Sequence, residues 1–417
     1  MKKMLLLLPA LVWLWSCGGA GKAHPPSTLT ITSLNNQSLD ARFTAGFTQK
    51  TGIAMQVIPT LESATDRLEQ YRELLKEQSS TPDVLVLDVI WPGMLADDLV
   101  DLKPYLGNEM GVYFPELVKD GTVEGRLVAV PFVRDVGLLY YRSDLLREYG
   151  FSRPPRSWRE LERMAARIQV GERRKGHANF WGYVWQGAPY EGLTCDALEW
   201  QASAGGGRII ENDGIVSVDN PRAAAAIQEA AHWVGTISPP GVVQFEEYDA
   251  WNVFRAGRAA FMRGWEWYYH ASQAPGSLLR GKVGVTRIPG GGVLGGSMLG
   301  VSRFSRHKKE AIQLVRFLTG QKMERQRLLR REVLPTLPVL YREPAVQPGD
   351  SGLAALEHAV SYQVIARPSS IAGAKYGQVS RAYFLAVHSV LTHRQTAVRA
   401  LAALQPKLTQ IVGQTAK

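Results

Sequence analysis

Tryptophans and tyrosines stand next to arginine and glutamate in several parts of this 417-residue chain. The densest group is Arg263-Gly-Trp265-Glu-Trp267-Tyr-Tyr269. Aromatic faces stack on the apolar faces of sugar rings, and carboxylates and guanidinium groups make charge-assisted hydrogen bonds to vicinal hydroxyls. The group therefore predicts a carbohydrate cleft, although each single tryptophan is equally compatible with filling a hydrophobic core.

A second chemical feature is Asp88, which ends the apolar run Val84-Leu-Val-Leu87. Such a continuous run is typical of a buried parallel strand. An unpaired carboxylate is costly to bury, and the strand ends of an open α/β sheet are where ligands bind. We therefore interpret Asp88 as a binding residue rather than a core residue.

Three patterns that resemble catalytic or metal motifs are incomplete. Residues 276–282 match a phosphate-binding loop, but Val283 stands where a magnesium-ligating Ser or Thr is needed. Gly295-Gly-Ser297-Met-Leu-Gly300 places its second glycine one residue too late for a nucleophile elbow. The eight histidines form no His-Glu-x-x-His pattern, so a zinc site lacks support. These patterns favour neither a nucleophilic nor a metal-dependent enzyme, and we expect no cofactor.

The elements that must position these side chains alternate between strand and helix. The first part of the chain predicts a strand at 28–33, a helix at 38–50, a strand at 53–58, a charged helix at 64–78 and a buried strand at 82–88. This alternation predicts an α/β lobe.

Later segments carry turn and helix-start patterns. Ser157-Trp-Arg-Glu160 matches a capping box that opens a helix, and Asn220-Pro221 starts an alanine-rich helix. The glycines at 290–292 and 295–296 predict a loop. We expect the part after about residue 353 to be mostly helical.

The N-terminus has the pattern of an export signal. Two lysines precede the apolar stretch 4–15, which is too short to span a bilayer, and Ser16-Cys17 follows. The end of this stretch resembles the bacterial lipobox, in which the cysteine is acylated after cleavage. Trp15 departs from the small or branched residue usual at that position.

From this pattern we expect a lipoprotein signal peptide at 1–17, acylation of Cys17 and a flexible tether at 18–27. Acyl chains would hold the protein at a membrane without a transmembrane helix. A plain secreted protein and an uncleaved anchor helix are the alternatives.

Basic residues outnumber acidic ones by 48 to 38, which gives a formal net charge of +10. The basic clusters at 173–175, 306–309 and 325–331 are far apart in sequence and lack interleaved aromatics. They are typical of solvated helix faces and loops, and we expect no nucleic-acid binding. Two cysteines exclude a disulfide framework. With Cys17 acylated, Cys195 is expected to be a small buried side chain.

Several segments occur in a fixed order: PDVLVLDVIW at 82–91, VPFVRDVGLLYYRSDLL at 130–146, PPRSWREL at 154–161, WGYVWQG at 181–187 with YEGL at 190–193, and FRAGRAAFM at 254–262 followed by Trp265. Together they resemble the extracellular solute-binding proteins of ABC sugar importers, above all the trehalose/maltose-binding branch. The likeness covers nearly all of the chain from Thr28 onward.

The resemblance implies the α/β fold of periplasmic-binding-protein type II, with a discontinuous chain and a hinge around a ligand cleft. Two lobes close on a sugar, and a membrane permease with a cytoplasmic ATPase recognises the closed form. We expect a monomer at the extracytoplasmic face of the envelope. Sugar contacts of relatives fall here at Asn36, Gln37, Arg67, Asp88, Asp135, Trp265, Trp267, Gly296 and Arg367.

The same resemblance implies how the chain divides. The N-terminal lobe is expected to comprise 28–133 and 300–335, and the C-terminal lobe 134–297 and 338–417. The chain would cross between the lobes near 133–136, 297–301 and 333–338.

Three places depart from the family pattern and bear on which sugar binds. The first loop, 34–38, has amides where relatives carry an acidic residue, Val133 stands where an aromatic is common, and Ser297 replaces a stacking Trp. Burying a large apolar group is worth about 1–3 kcal/mol, enough to change the preferred sugar. A small gluco-oligosaccharide remains the expectation, without a choice of linkage.

Two alternatives use the same residues differently. In one, the fold is kept but Arg67 and Arg367 pair with an anionic solute. In the other, the protein is an exported hydrolase in which Asp88 and Asp135 flank a glycosidic bond as acid and base.

Overall fold

Two β-sheets, each covered by helices, organise the protein. The computed structural model describes residues 28–33, 41–61, 63–330, 333–343 and 364–413. The predicted signal peptide and tether, with Cys17, lie outside the described residues.

The first sheet has the strand order β2-β1-β3-β11-β6 and the second β10-β7-β9-β8, while β4 and β5 form a short hairpin. The strands are Thr28–Thr32 (β1), Ala54–Ile58 (β2), Val84–Asp88 (β3), Thr122–Val123 (β4), Arg126–Leu127 (β5), Val130–Val136 (β6), Leu138–Arg142 (β7), Trp181–Val184 (β8), Ala259–Gly264 (β9), Val283–Arg287 (β10) and Leu294–Val301 (β11).

Helices connect the strands and form most of the C-terminal part. They are Ala41–Thr51 (α1), Ala64–Lys76 (α2), Pro92–Leu95 (α3), Lys103–Leu106 (α4), Pro115–Asp120 (α5), Ser143–Glu148 (α6), Trp158–Arg174 (α7), Glu191–Ser203 (α8), Pro221–Trp233 (α9), Glu247–Arg255 (α10), Trp267–Gln273 (α11), Lys308–Thr319 (α12), Gln321–Leu329 (α13), Ser369–Ala372 (α14), Tyr376–Leu391 (α15) and Ala397–Val412 (α16). Short 3-10 turns lie at Ala96–Asp98, Gly107–Val112, Pro240–Gln244, Pro338–Arg342 and Gly373–Lys375.

Strand β3 lies at the centre of the first sheet with both faces covered. Val84 and Val86 pack into one hydrophobic cluster, and Leu85 and Leu87 pack into another on the opposite face. Burial on both faces explains why the strand is apolar throughout rather than alternating. Strand β1 pairs with β3 in parallel and β11 pairs with it in antiparallel orientation. The prediction of an α/β lobe from this part of the sequence is confirmed.

The loop predicted at the glycines 295–296 is wrong, because both residues lie in β11. Gly296 has a φ of +118°, and the pairing of β11 with β6 is irregular between Ser297 and Met298. A Cβ at Gly296 would overlap the carbonyl of Val133. The glycine therefore permits a bulge and a close approach of two strands rather than a loop.

The chain passes from the first sheet to the second at Gly137, between β6 and β7. Its N–H donates to the carbonyl of Val293, next to β11, at 3.0 Å. A Cβ at this position would overlap the carboxylate of Glu199 in α8. Glycine is thus required here for a close approach of α8 to the passage between the sheets.

The predicted helix starts are largely confirmed. Ser157 accepts a hydrogen bond from the N–H of Glu160 at 3.2 Å, but the Glu160 carboxylate accepts from the N–H of Arg156 rather than from Ser157. Asn220 accepts from the N–H of Ala223 at 2.9 Å, with proline in the first turn. Within the described residues, no helix has the length and apolar content to cross a membrane.

Asp83, just before β3, ties three segments of the first sheet together. Its Oδ2 accepts from the N–H of Thr30 at 2.9 Å and from the Thr30 hydroxyl at 2.7 Å. Its Oδ1 accepts from the hydroxyl of Ser305 at 2.6 Å. All three residues are buried, so these donors depend on the carboxylate for their hydrogen bonds.

We expect Asp83→Ala to lower the free energy of unfolding by about 3 kcal/mol, because buried donors would be left unsatisfied. Chemical denaturation followed by fluorescence measures this. The control Glu69→Ala removes an exposed pair with Arg72 and should cost less than about 0.5 kcal/mol. Equal losses in the two variants would contradict the role given to Asp83.

Candidate functional site

Arg367 joins the end of the first sheet to helix α8. Its Nη2 donates to Asp88 Oδ1 at 3.3 Å and to the Leu294 carbonyl at 3.1 Å, and its Nη1 donates to Glu191 Oε1 at 2.9 Å. Arg367 is buried, whereas Asp88 and Glu191 are half-buried. Two of the predicted site residues, Asp88 and Arg367, are thus in direct contact.

Glu191 holds the guanidinium of Arg367 in place from the first turn of α8. It also accepts from the hydroxyl of Tyr376 at 2.6 Å and from the hydroxyl of Ser380 at 2.6 Å, both on α15. Burial raises the pKa of Glu191, and Arg367 opposes that shift. Charge-assisted bonds of this kind fix geometry more than they add stability.

Arg67 on α2 is a third predicted residue at this place. Its Nη1 donates to the Leu61 carbonyl at 2.9 Å, and its guanidinium carbon lies 5.2 Å from the ring centroid of Trp91. Burial lowers the pKa of Arg67, while the charges of Asp88 and Glu247 act in the opposite direction. The N–H of Trp91 donates to the Asp88 carbonyl at 2.9 Å, so Arg67 lies next to the turn that follows Asp88.

Tyr190 and Gly192, on either side of Glu191, position a further carboxylate. The Tyr190 hydroxyl donates to Glu247 Oε2 at 2.6 Å. A Cβ at Gly192 would overlap the Tyr190 ring, so glycine makes room for the ring to fold back over the helix start. The motif Tyr190-Glu-Gly thus serves both Arg367 and Glu247.

Trp265 lies on a buried arginine. The guanidinium carbon of Arg263 is 3.9 Å from the Trp265 ring centroid. Glu199 accepts from Arg263 Nη2 at 2.8 Å and from Nε at 3.2 Å, and it also accepts from the N–H of Val293 at 3.0 Å. A Cβ at Gly295 would lie 2.7 Å from the Trp265 ring. The half-buried tryptophan is thus held by an ion pair beneath it and by β11 beside it.

Asp135 lies beside the same tryptophan. It accepts from the N–H of Val136 at 2.7 Å and from the N–H of Glu266 at 3.1 Å. The Tyr140 hydroxyl donates to the Trp265 carbonyl at 2.7 Å, which fixes the backbone next to Asp135. Burial, reinforced by the charge of Glu266, raises the pKa of Asp135 to about 7.

The start of β11 links these two groups of residues. The Leu294 carbonyl binds Arg367, Gly295 pairs with Asp135, and the Gly296 carbonyl accepts from the N–H of Val89. The structure therefore brings Asp88, Arg367, Asp135, Trp265 and Gly296 together around the start of β11, and Arg67 lies next to the turn after Asp88.

Trp267 is less distinctive, because its ring packs 4.0 Å from that of Tyr268, 5.6 Å from that of Tyr248 and 6.1 Å from that of Trp251. This agrees with the aromatic-core alternative as well as with a sugar contact. Ser297 is buried opposite Asp88 in β3, and its hydroxyl has no partner among the described residues. Asn36 and Gln37 lie outside the described residues.

Three carboxylates that lie among these residues were missed at the level of sequence: Glu191, Glu199 and Glu247. Arg263 was included in the aromatic group, but its ion pair with Glu199 was not predicted. Glu191 lies in the Tyr190-Glu-Gly motif, so its neighbours gave a hint. Nothing in the sequence connects Glu199 or Glu247 to the site. Among the described residues, no group of three or more His, Cys, Asp or Glu side chains could hold a metal ion.

Two β-sheets flanked by helices, with charged and aromatic side chains gathered at the strand ends, are typical of a solute-binding protein. The chain belongs to the bacterial extracellular solute-binding protein family, whose model matches residues 32–324. It is 41% identical over 372 residues to a probable ABC transporter-binding protein of Deinococcus radiodurans, covering 88% of each chain. The prediction of the family is confirmed.

Solved structures of solute-binding proteins are similar to this chain. Maltose-bound MalE3 of T. maritima is 34% identical with a TM-score of 0.84, over 92% of this chain and 100% of that chain. A solute-binding protein from Thermotoga lettingae with bound α-D-tagatose, 23% identical, shares the fold with a TM-score of 0.82, over 93% of this chain and 100% of that chain.

These likenesses confirm the predicted periplasmic-binding-protein fold of two α/β lobes. The protein is a solute-binding protein of an ABC transporter, and it acts outside the cytoplasm. Such proteins work together with a membrane permease and its ATPase.

The raised pKa of Asp135 predicts a pH dependence of stability. Because its pKa in the folded protein lies near 7 instead of 3.8, the unfolded chain binds fewer protons between these values. The contribution of Asp135 therefore lowers stability as pH rises from about 4 to about 7. In Asp135→Asn, the unfolding temperature should fall less between pH 4.5 and pH 8 than in the wild type.

Differential scanning calorimetry at several pH values measures this difference. The control Asp97→Asn changes a carboxylate that is 93% exposed and should follow the wild-type pH profile. A profile of Asp135→Asn that coincides with the wild type would contradict the raised pKa.

Proposed function

We propose that the protein binds a neutral disaccharide or short oligosaccharide, of the maltose or trehalose kind, between its two lobes and delivers it to the permease. The observation that carries this proposal is the juxtaposition of Trp265 with Asp135 and with the Asp88–Arg367 pair. An aromatic face next to paired hydrogen-bonding charges suits a sugar ring, which has apolar faces and a rim of hydroxyls.

The charge balance of the site favours a neutral solute over an anionic one. Arg367 is already paired with Asp88 and Glu191. Arg67 interacts with Asp88 and with Glu247. An anion would have to displace these carboxylates or lie beside them, which Coulomb repulsion opposes. A neutral diol can instead donate to the carboxylates and accept from the arginines.

The relatives support the same proposal. T. maritima MalE3, which contains bound maltose, is similar over nearly the whole chain. The first loop and Ser297 differ from the trehalose/maltose pattern, so we leave the linkage of the sugar open between maltose and trehalose.

The residues that would act in a hydrolase serve binding geometry instead. Asp88 accepts from Arg367 and from the N–H of Ile90, and Asp135 accepts from two backbone N–H groups. We therefore propose a protein without catalytic activity. Release of glucose from maltose by the purified protein would contradict this.

We further propose the lobe assignment given by the sequence: 28–133 with 300–335, and 134–297 with 338–417, crossing near 133–136, 297–301 and 333–338. The protein would act as a monomer held at the membrane by acylated Cys17, with residues 18–27 as tether. Mass spectrometry of the membrane fraction tests the lipid, and analytical ultracentrifugation tests the monomer.

The sugar class is tested by thermal unfolding of protein lacking residues 1–17 with trehalose, maltose, sucrose, maltodextrins, phosphorylated sugars and amino acids. A ligand at about 100 times its dissociation constant stabilises by about 2.7 kcal/mol. We expect a rise of the unfolding temperature with one neutral sugar. A rise only with a phosphorylated sugar or an amino acid would contradict the proposal.

Closure of the lobes is tested by small-angle X-ray scattering with and without the sugar that stabilises most. We expect the radius of gyration to fall on addition of sugar, because contacts from both lobes favour the closed form. Asp88→Ala, at the same sugar concentration, should show a smaller change. An unchanged wild-type curve at saturating sugar would contradict closure.

A further inference from the structure

The carboxylate of Glu247 has one engaged oxygen and one that is available. Oε2 accepts from the Tyr190 hydroxyl at 2.6 Å. No donor in the described part of the chain hydrogen-bonds to Oε1. The side chain is half-buried, so a ligand can reach this oxygen without any change in the contact to Tyr190.

Glu247 lies close to the residues that hold Arg367. The residue that follows Tyr190 is Glu191, which binds Arg367 at 2.9 Å, and Arg367 in turn binds Asp88 at 3.3 Å. Through Tyr190, Glu247 therefore lies beside the first turn of α8, which carries the carboxylate that binds Arg367. Glu247 itself begins α10, so the contact joins the starts of these two helices.

We propose that Glu247 is a sugar-contacting residue that determines specificity: its Oε1 accepts a hydrogen bond from one ligand hydroxyl. This inference rests on the proposed function. A sugar hydroxyl fits this oxygen, because a hydroxyl can donate and an ionised carboxylate only accepts. Glu247 would supply a carboxylate acceptor that the first loop, with Asn36 and Gln37, lacks.

Glu247→Gln tests the proposal, because glutamine keeps the shape and can still accept from Tyr190. Titration calorimetry uses maltose, or the neutral sugar with the largest thermal shift. Loss of a hydrogen bond to a charged group should weaken binding about ten- to a hundredfold. Monodeoxy analogues of the same sugar locate the contact. The wild type should bind one analogue about tenfold more weakly than it binds the parent sugar. Glu247→Gln should bind that analogue and the parent sugar with equal affinity.

The matched control is Glu246→Gln, which removes the same charge from the adjacent, exposed residue and should leave affinity within about twofold, since exposed charges are screened. Equal weakening by both variants, or wild-type affinity of Glu247→Gln, would overturn the inference. The inference would also be overturned if every deoxy analogue lost the same factor of affinity in the wild type and in Glu247→Gln. A wild-type protein that binds no sugar would instead contradict the proposed function itself.

Discussion

The ion pair between Arg367 and Asp88 is the contact on which the arrangement of the site depends. Asp88 ends the central strand of the first sheet, and Arg367 comes from a segment close to the C-terminal helices. Removing Arg367 would leave both Asp88 and Glu191 without their cationic partner in a partly buried place, which is costly, whereas removing Asp88 would leave Arg367 paired with Glu191 alone. The intact pair adds little stability by itself. The ion pair instead fixes the position of the C-terminal part of the chain relative to the ends of the strands.

A second ion pair has the same role under the aromatic surface. Arg263 is completely buried and stacked on Trp265, and Glu199 binds it from α8. Glu199 also bonds to the backbone at Val293 and lies against Gly137. The position of the tryptophan is therefore linked to the two segments where the chain passes between the sheets. A change in the angle between the two sheets would therefore reach Trp265 through this carboxylate.

The fold could be predicted from the sequence because the patterns that indicate its elements are local. The buried run ending at Asp88 and the capping residues Ser157 and Asn220 act within a few residues, and the order of segments predicted the family. The loop at 295–296 was mispredicted, because glycine permits both a turn and a strand bulge, and only the partner strand distinguishes them. Glu199 and Glu247 could not be assigned to the site, since their partners lie far away in sequence.

The start of β11 contributes to the site through its backbone, whereas the helices contribute through their side chains. The contacts of Leu294 and Gly296 are made by backbone carbonyls. Gly295 pairs with Asp135 in the sheet, and its missing side chain leaves room for the Trp265 ring. Side chains on α8 and α10, by contrast, supply the carboxylates of Glu191 and Glu247. Substitutions on these helices can therefore change the charge around Arg367 and Tyr190 while the backbone contacts of β11 persist, as long as the strand keeps its small residues.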